Sequence, residues 1–187
     1  MFIQTEETPN PATLKFLPGR QVMPSGTANF PDAASAERSP LASRLFDVEG
    51  VDGVFLGADF VTLTKDPHHD WFTLKPLILS VIMEQFTAGQ PVMLDQAVSD
   101  AAAASAAAGA EDTELAAQIR ELIDTRVRPA VAQDGGDIIF HGFDDGIVYL
   151  HMQGSCSGCP SSTATLKSGI ENMLKHYVPE VIEVRAV

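Results

Sequence analysis

Two cysteines are the whole thiol complement of this sequence, and they stand three positions apart in the loop Gly154-Ser155-Cys156-Ser157-Gly158-Cys159-Pro160-Ser161-Ser162. Two thiols so spaced can point at one shared centre or close on each other. Gly154 and Gly158 keep bulky side chains out of the loop and permit unusual backbone angles. Pro160 and Ser161 begin a helix, whose unpaired N–H groups and positive dipole end favour thiolate over thiol. The pattern predicts two accessible, activated sulfurs at Cys156 and Cys159. Four uses compete for them. Incidental structural cysteines are the bland one, and their isolation within such a loop argues against it. A thioredoxin-like redox pair needs a strand–CxxC–helix inside a larger βαβ sheet, which the short element order after the loop does not supply. A closed zinc site wants four ligands, so two thiolates per chain would require a dimer. A 4Fe–4S cluster also takes four thiolates, so two chains each giving Cys156 and Cys159 could bridge one. A cluster held between short loops is easily released, as suits a carrier. The iron–sulfur reading is preferred, with a CxxC dithiol–disulfide oxidoreductase as the alternative.

Other chemistry-bearing residues give weaker patterns. In Asp66-Pro67-His68-His69-Asp70 the adjacent histidines point apart on a loop, with no further ligand spaced to join them; a solvated loop is expected, with Asp70 as helix cap. Asp134-Gly135-Gly136-Asp137 lacks the Gly-x-x-x-x-Gly-Lys pattern of a phosphate loop and reads as a tight turn opening a hairpin, packed near the cysteine loop. His141 and His151 flank that hairpin as candidates for a supporting role near the thiols. Trp71 is expected to anchor a helix of the first half. No serine sits in a nucleophile-elbow pattern.

The elements that must position the thiols follow from periodicity. Asp137–Phe143 and Ile147–Met152 flank Asp144-Asp145-Gly146, a strong hairpin signal. Before them, Leu115, Ile119, Leu122, Ile123 and Val127 mark a helix with Thr113 as its cap, which Pro129 is expected to kink or shorten. After the loop, 161–177 is helical, Pro179 stops it, and 181–187 alternates as a last strand. In the first half, 2–6 and 13–17 read as strands around Thr8-Pro9-Asn10-Pro11, and 51–56 and 60–65 as a second pair. Ser39 caps a short helix opened by Pro40. A longer helix over 71–86, closed by Gly89, places Leu74, Leu77, Ile78, Val81, Ile82, Gln85 and Phe86 on one apolar stripe.

The fold class is therefore α+β, with two small α/β-sandwich-like domains, 1–95 and 113–187, joined by an Ala-rich linker at 96–112. With 187 residues and 45% hydrophobic composition the chain can bury cores. Twelve Lys+Arg against 25 Asp+Glu give −13, an excess shared by both halves. Such a surface argues against nucleic acid and against anionic membranes as partners. The most apolar window, 74–86, is too short to span a bilayer. Residues 1–7 lack the basic and apolar regions of a secretory signal. The expected setting is a reducing compartment, best a bacterial cytoplasm, with a mature mitochondrial form also compatible.

The stretch Asp124-Thr125-Arg126-Val127-Arg128-Pro129-Ala130-Val131-Ala132-Gln133-Asp134-Gly135-Gly136-Asp137, with the cysteine loop and Thr165-Leu166-Lys167, resembles the C-terminal domain of the NifU family. Phe2-Ile3-Gln4-Thr5-Glu6, Pro9-Asn10-Pro11, Leu14-Lys15-Phe16-Leu17-Pro18-Gly19, Ser39-Pro40-Leu41-Ala42 and Val51-Asp52-Gly53-Val54-Phe55 resemble the N-terminal domain of its Nfu branch. The resemblance implies a non-enzymatic iron–sulfur carrier. Cys156 and Cys159 would ligate a 4Fe–4S cluster across a homodimer, take it from an upstream donor and deliver it to apo-proteins. The sequence has no further cysteines for a U-type scaffold site or a ferredoxin-like domain, which points to late delivery and not assembly from sulfur.

Overall fold

The computed structural model describes residues 2–94, 114–157 and 160–187, so the linker 96–112, the Thr113 cap and Cys159 lie outside the described residues. The first unit is built on five antiparallel strands: β1 (Gln4–Glu7), β2 (Thr13–Leu17), β3 (Ala28–Phe30), β4 (Val51–Leu56) and β5 (Val61–Lys65), in the order β1-β2-β5-β4-β3. Strand alternation sends Leu14, Phe16, Val54, Leu56, Val61 and Leu63 to one face, where they pack against α1 (Pro40–Phe46) and α2 (Trp71–Thr87). Each such buried side chain contributes about 1.5–3 kcal/mol of transfer free energy.

Ser39 caps α1 as expected: its Oγ accepts from the Ala42 N–H at 3.1 Å and donates to the Val92 carbonyl at 2.6 Å. Trp71 anchors the start of α2, donating from Nε1 to the Pro11 carbonyl at 3.2 Å. Two expectations need correction here. Leu77 leaves the apolar stripe and is 51% exposed, because Leu74, Ile78, Ile82 and Gln85 recur at three- and four-residue steps that turn position 77 outward. Asp70 occupies the cap position of α2 without a side-chain hydrogen bond; its backbone carbonyl accepts from Thr73 and Leu74 instead.

The second unit carries the thiol loop on a three-stranded sheet, β6 (Gly136–Asp144), β7 (Ile147–Gly154) and β8 (Glu183–Ala186), in the order β6-β7-β8. Asp145 (φ 46°) and Gly146 (φ 80°) form the two-residue turn between β6 and β7, with both central residues left-handed as such hairpins require. β8 returns parallel to β7. One face of this sheet is covered by α3 (Glu114–Leu122), a π-helical segment (Ile123–Val127), α4 (Arg128–Gln133) and α5 (Pro160–Tyr177). Pro129 does not shorten the helical run, which continues to Gln133. The wide π turn lies just ahead of the proline, where it accommodates the ring and its missing N–H.

Candidate functional site

The cysteine loop leaves β7 at Gly154 and lies against the turn that opens β6. In the hairpin register Gly136 pairs with Gly154, and the Ser155 N–H donates to the Gly135 carbonyl at 3.3 Å. The Ser155 hydroxyl donates to the Asp134 carbonyl. These bonds place Cys156 directly over Gly136: a Cβ built at Gly136 would stand 2.4 Å from the Cys156 Sγ. Only glycine leaves room for the sulfur there. Gly135 in turn holds φ 79°, the left-handed region that glycine enters without cost. Thr163 on α5 donates to the Cys156 carbonyl at 3.2 Å, tying the loop to the first turns of that helix.

Of the two expected site residues, Cys156 is described and Cys159 is not. Cys156 departs from the expectation of an exposed, activated sulfur. It is 6% exposed, and its thiol is pushed up to about 11 from the ordinary 9.0. Burial is the main cause; the Ser155 hydrogen bond works the other way, while the charges of Asp134 and Asp137 add to the rise. A thiolate in that pocket is denied water and faces two carboxylates.

Asp137, 3% exposed, is the buried charge of the site. Its carboxylate accepts a two-pronged pair from Arg128, Nε to Oδ1 and Nη2 to Oδ2, both at 2.9 Å. It also accepts from the Ile138 N–H at 2.8 Å. The Asp137 partnership, with its hydrogen bonds first and its charge after the cost of burial, holds the Arg128 guanidinium above its usual range. Asp124 joins from one turn earlier, 3.2 Å from Arg128 Nη1. The glycine turn thus packs beside the cysteine loop, as read from sequence, and Arg128 fixes its orientation.

The first unit also reaches this site, through the face of its sheet turned away from its own core. Thr62 Oγ1 donates to the Gly135 carbonyl at 2.7 Å, and Lys15 Nζ to the Gln133 carbonyl at 3.0 Å. Thr27 Oγ1 donates to Asp137 Oδ2 at 2.7 Å, and Asn10 Nδ2 to the Ser157 carbonyl at 3.3 Å. Phe55, 2% exposed, lies over Gly154, whose built Cβ would come within 3.0 Å of its ring. Lys15 Nζ sits 5.0 Å from the centre of the Phe60 ring.

Comparisons with known proteins show the family. Residues 3–89 match the family described as scaffold protein Nfu/NifU N terminal, and residues 119–185 match the NifU-like domain. The chain belongs to the Nfu/NifU family. It is 52% identical over 188 residues to the human protein named NFU1 iron-sulfur cluster scaffold homolog, mitochondrial, covering all of this chain and 72% of that one. NifU-like protein 4, mitochondrial, of Arabidopsis thaliana is 55% identical over 183 residues, covering 97% of this chain and 64% of that one. A solved NifU-like protein from Saccharomyces cerevisiae overlaps 51% of this chain and 86% of its own at 30% identity, with a TM-score of 0.42.

The remaining candidates do not join the thiol. The His151 ring pairs with the Val187 carbonyl at 2.9 Å, and His141 is exposed at the register shift between Phe140 and Gly142. His69 is not solvated as expected but half-buried against Gly50, 3.7 Å from Asp66, whose carboxylate is lowered chiefly by the His68 N–H. Among the described residues no group of three or more His, Cys, Asp or Glu is arranged to hold a metal ion, and no helix is long and apolar enough to cross a membrane. Sequence reasoning missed Asn10, Lys15, Thr27 and Thr62 as residues of the site. Their signal was faint: Lys15 and Thr62 sit at the polar positions of alternating strands, which ordinarily face water.

Proposed function

We propose that this chain is a non-enzymatic iron–sulfur carrier that holds a labile 4Fe–4S cluster between two copies and passes it to apo-proteins. The observation that carries the reading is the Cys156 sulfur seated over Gly136, beside the N-terminal end of α5, in a family whose relatives bear the name iron–sulfur cluster scaffold. Cys156 and Cys159 would supply two of four thiolates, and the second copy the others. The cluster is cargo. A client cysteine would lose its proton on binding iron, displacing one carrier thiolate, which regains a proton as it leaves. Repeating that exchange moves the cluster without net oxidation or reduction.

The division into domains 1–95 and 113–187 around a linker at 96–112 belongs to the same proposal, as does a thiol-preserving compartment, bacterial cytoplasm or mitochondrion. The second reading is a dithiol–disulfide oxidoreductase, which uses an exposed thiol of depressed pKa; with the loop covered as it is here, Cys156 is buried and its thiol raised.

Anaerobic reconstitution with iron and sulfide tests the reading. The expected result is four iron and four sulfide per dimer, lost in Cys156→Ser and Cys159→Ser, with the loaded form activating an apo-enzyme. Equal loading of both variants, or insulin reduction by the apo-protein, would overturn it.

A further inference from the structure

We propose that the outer face of the first unit's sheet is a built-in, reversible cover for the cysteine loop, closed in the lone chain and displaced when the loop is used. The cover is a matter of geometry; its bearing on loading rests on the carrier reading above.

The contacts are directional. All four cross-unit hydrogen bonds described run the same way, with Asn10, Lys15, Thr27 and Thr62 as donors. The acceptors are the carbonyls of Gln133, Gly135 and Ser157 and the carboxylate of Asp137, all within the two segments that frame Cys156. The Gly135 carbonyl, held from outside by Thr62, also accepts from the Ser155 N–H, and the Gln133 carbonyl held by Lys15 adjoins Asp134, whose carbonyl accepts from the Ser155 hydroxyl. Fixing them fixes the floor on which the sulfur sits. Phe55 over Gly154 and Asn10 on Ser157 then close the loop from either side of Cys156.

The composition of the covering face is what makes it reversible. A permanent interface resembles a core cut in half. Here Lys15, Thr62 and Thr13 are buried on an outer sheet face, at 7%, 1% and 3% exposure, yet each is a residue type that stands in water without penalty. Among the described residues, Phe55 and Phe60 are the buried large apolar side chains that belong to neither unit's core. Separation would uncover the Phe55 ring, which lies against Gly154, and return four donors and four acceptors to water, where they are satisfied again. Cys156 itself belongs to the second unit's core, and no other member of either core is among the described groups that meet across the units. Residues 95–113 join the units, and a chain of that length reaches at most roughly 65 Å, so covalent connection permits the separation.

Closed, the cover keeps Cys156 from reagents and from a second copy. A cluster shared between two chains needs the loop's outer side free, so loading and covering exclude each other.

The test uses the full chain with Cys159→Ser, so that Cys156 alone reports, and reads its alkylation by iodoacetamide at fixed pH, with small-angle X-ray scattering for overall dimensions. Asn10→Asp keeps the local bond to the Ala12 N–H and turns a donor into a charge facing the Ser157 carbonyl. Thr62→Arg forces a long cation against Gly135, whereas Thr62→Ser retains the hydroxyl. The expected result is alkylation about tenfold faster and a larger radius of gyration in Asn10→Asp and Thr62→Arg, with Thr62→Ser like the parent. The parent's rate and radius in both opened variants, with circular dichroism showing them folded, would overturn the cover. Should Thr62→Arg fail to fold, Asn10→Asp, which lies in a turn, decides alone. Reconstitution of the same substitutions with Cys159 present separates the two readings. Rapid alkylation with no iron uptake by any form removes the carrier and leaves the cover. Normal uptake with unchanged alkylation removes the cover and leaves the carrier.

Discussion

The Cys156 thiol is held in its neutral form by burial and by the neighbouring charges of Asp134 and Asp137, and that preference is coupled to stability. A folded pKa of about 11, above the ordinary 9.0, means the contribution is full below about pH 9 and is lost as pH rises toward 11. Between those limits the protein should lose about 2–3 kcal/mol more stability than Cys156→Ser, measurable as the difference between their denaturation midpoints across the range. Gly136→Ala would set a methyl 2.4 Å from the sulfur. It is expected to cost about 1–3 kcal/mol and to push Cys156 outward, read as a lower melting temperature with faster alkylation. Arg128→Ala strips the two-pronged partner from a carboxylate that is 3% exposed. A loss of about 2–3 kcal/mol is expected, and Arg128→Lys should restore only part of it, since an ammonium cannot make both bonds in that geometry. At this scale the thiols and the glycine turn could be read from local sequence, because loop and turn are each contiguous. The protonation of Cys156 could not. It depends on burial and on Asp134 and Asp137, which sit some twenty residues earlier in the chain. Thr27, which meets Asp137 from the other unit, was equally invisible.

Among the elements, those specified by their own residues were the ones that sequence located. The hairpin between β6 and β7 has its Asp145-Gly146 turn, and α1 has its Ser39 cap and Pro40. Ser39→Ala should cost about 1–2 kcal/mol in chemical denaturation, since it frees both the Ala42 N–H and the Val92 carbonyl. Strand β3 escaped notice because three residues give no usable period, and it exists only by pairing with β4. The α2 stripe was legible in its spacing but too wide by one member. Leu77→Ser should therefore leave stability within about 0.5 kcal/mol, while Ile78→Ala, one residue on, should cost about 2–5 kcal/mol; thermal melts of the pair check it. The helical run before β6 is not shortened by its proline but is irregular just ahead of it. Ile119, Ile123, Val127 and Val131 all reach the core at steps of four, and a π turn keeps them in line past Pro129.

At the scale of the whole molecule, charge and topology govern. Each chain carries −13, so bringing two copies together works against their mutual repulsion. Added salt screens it, the Debye length falling to about 8 Å at physiological ionic strength. Pairing on reconstitution should thus strengthen as salt rises from low values, which sedimentation at several ionic strengths will show; weakening would mean that attractive charges dominate the contact. Topology has a consequence for time. β6 and β7 meet across a two-residue turn, whereas β2 must find β5 with Thr13 opposite Thr64, a search across most of the first unit. Local pairs form early and distant ones late. Lys15 and Thr62 stand side by side only once that late pair has zipped. In a refolding chain the hairpin that cradles Cys156 is accordingly complete before the surface that shelters it exists. The thiol passes through an interval of openness set by the slowest pairing in the neighbouring sheet, and rapid-quench labelling during refolding would capture it there.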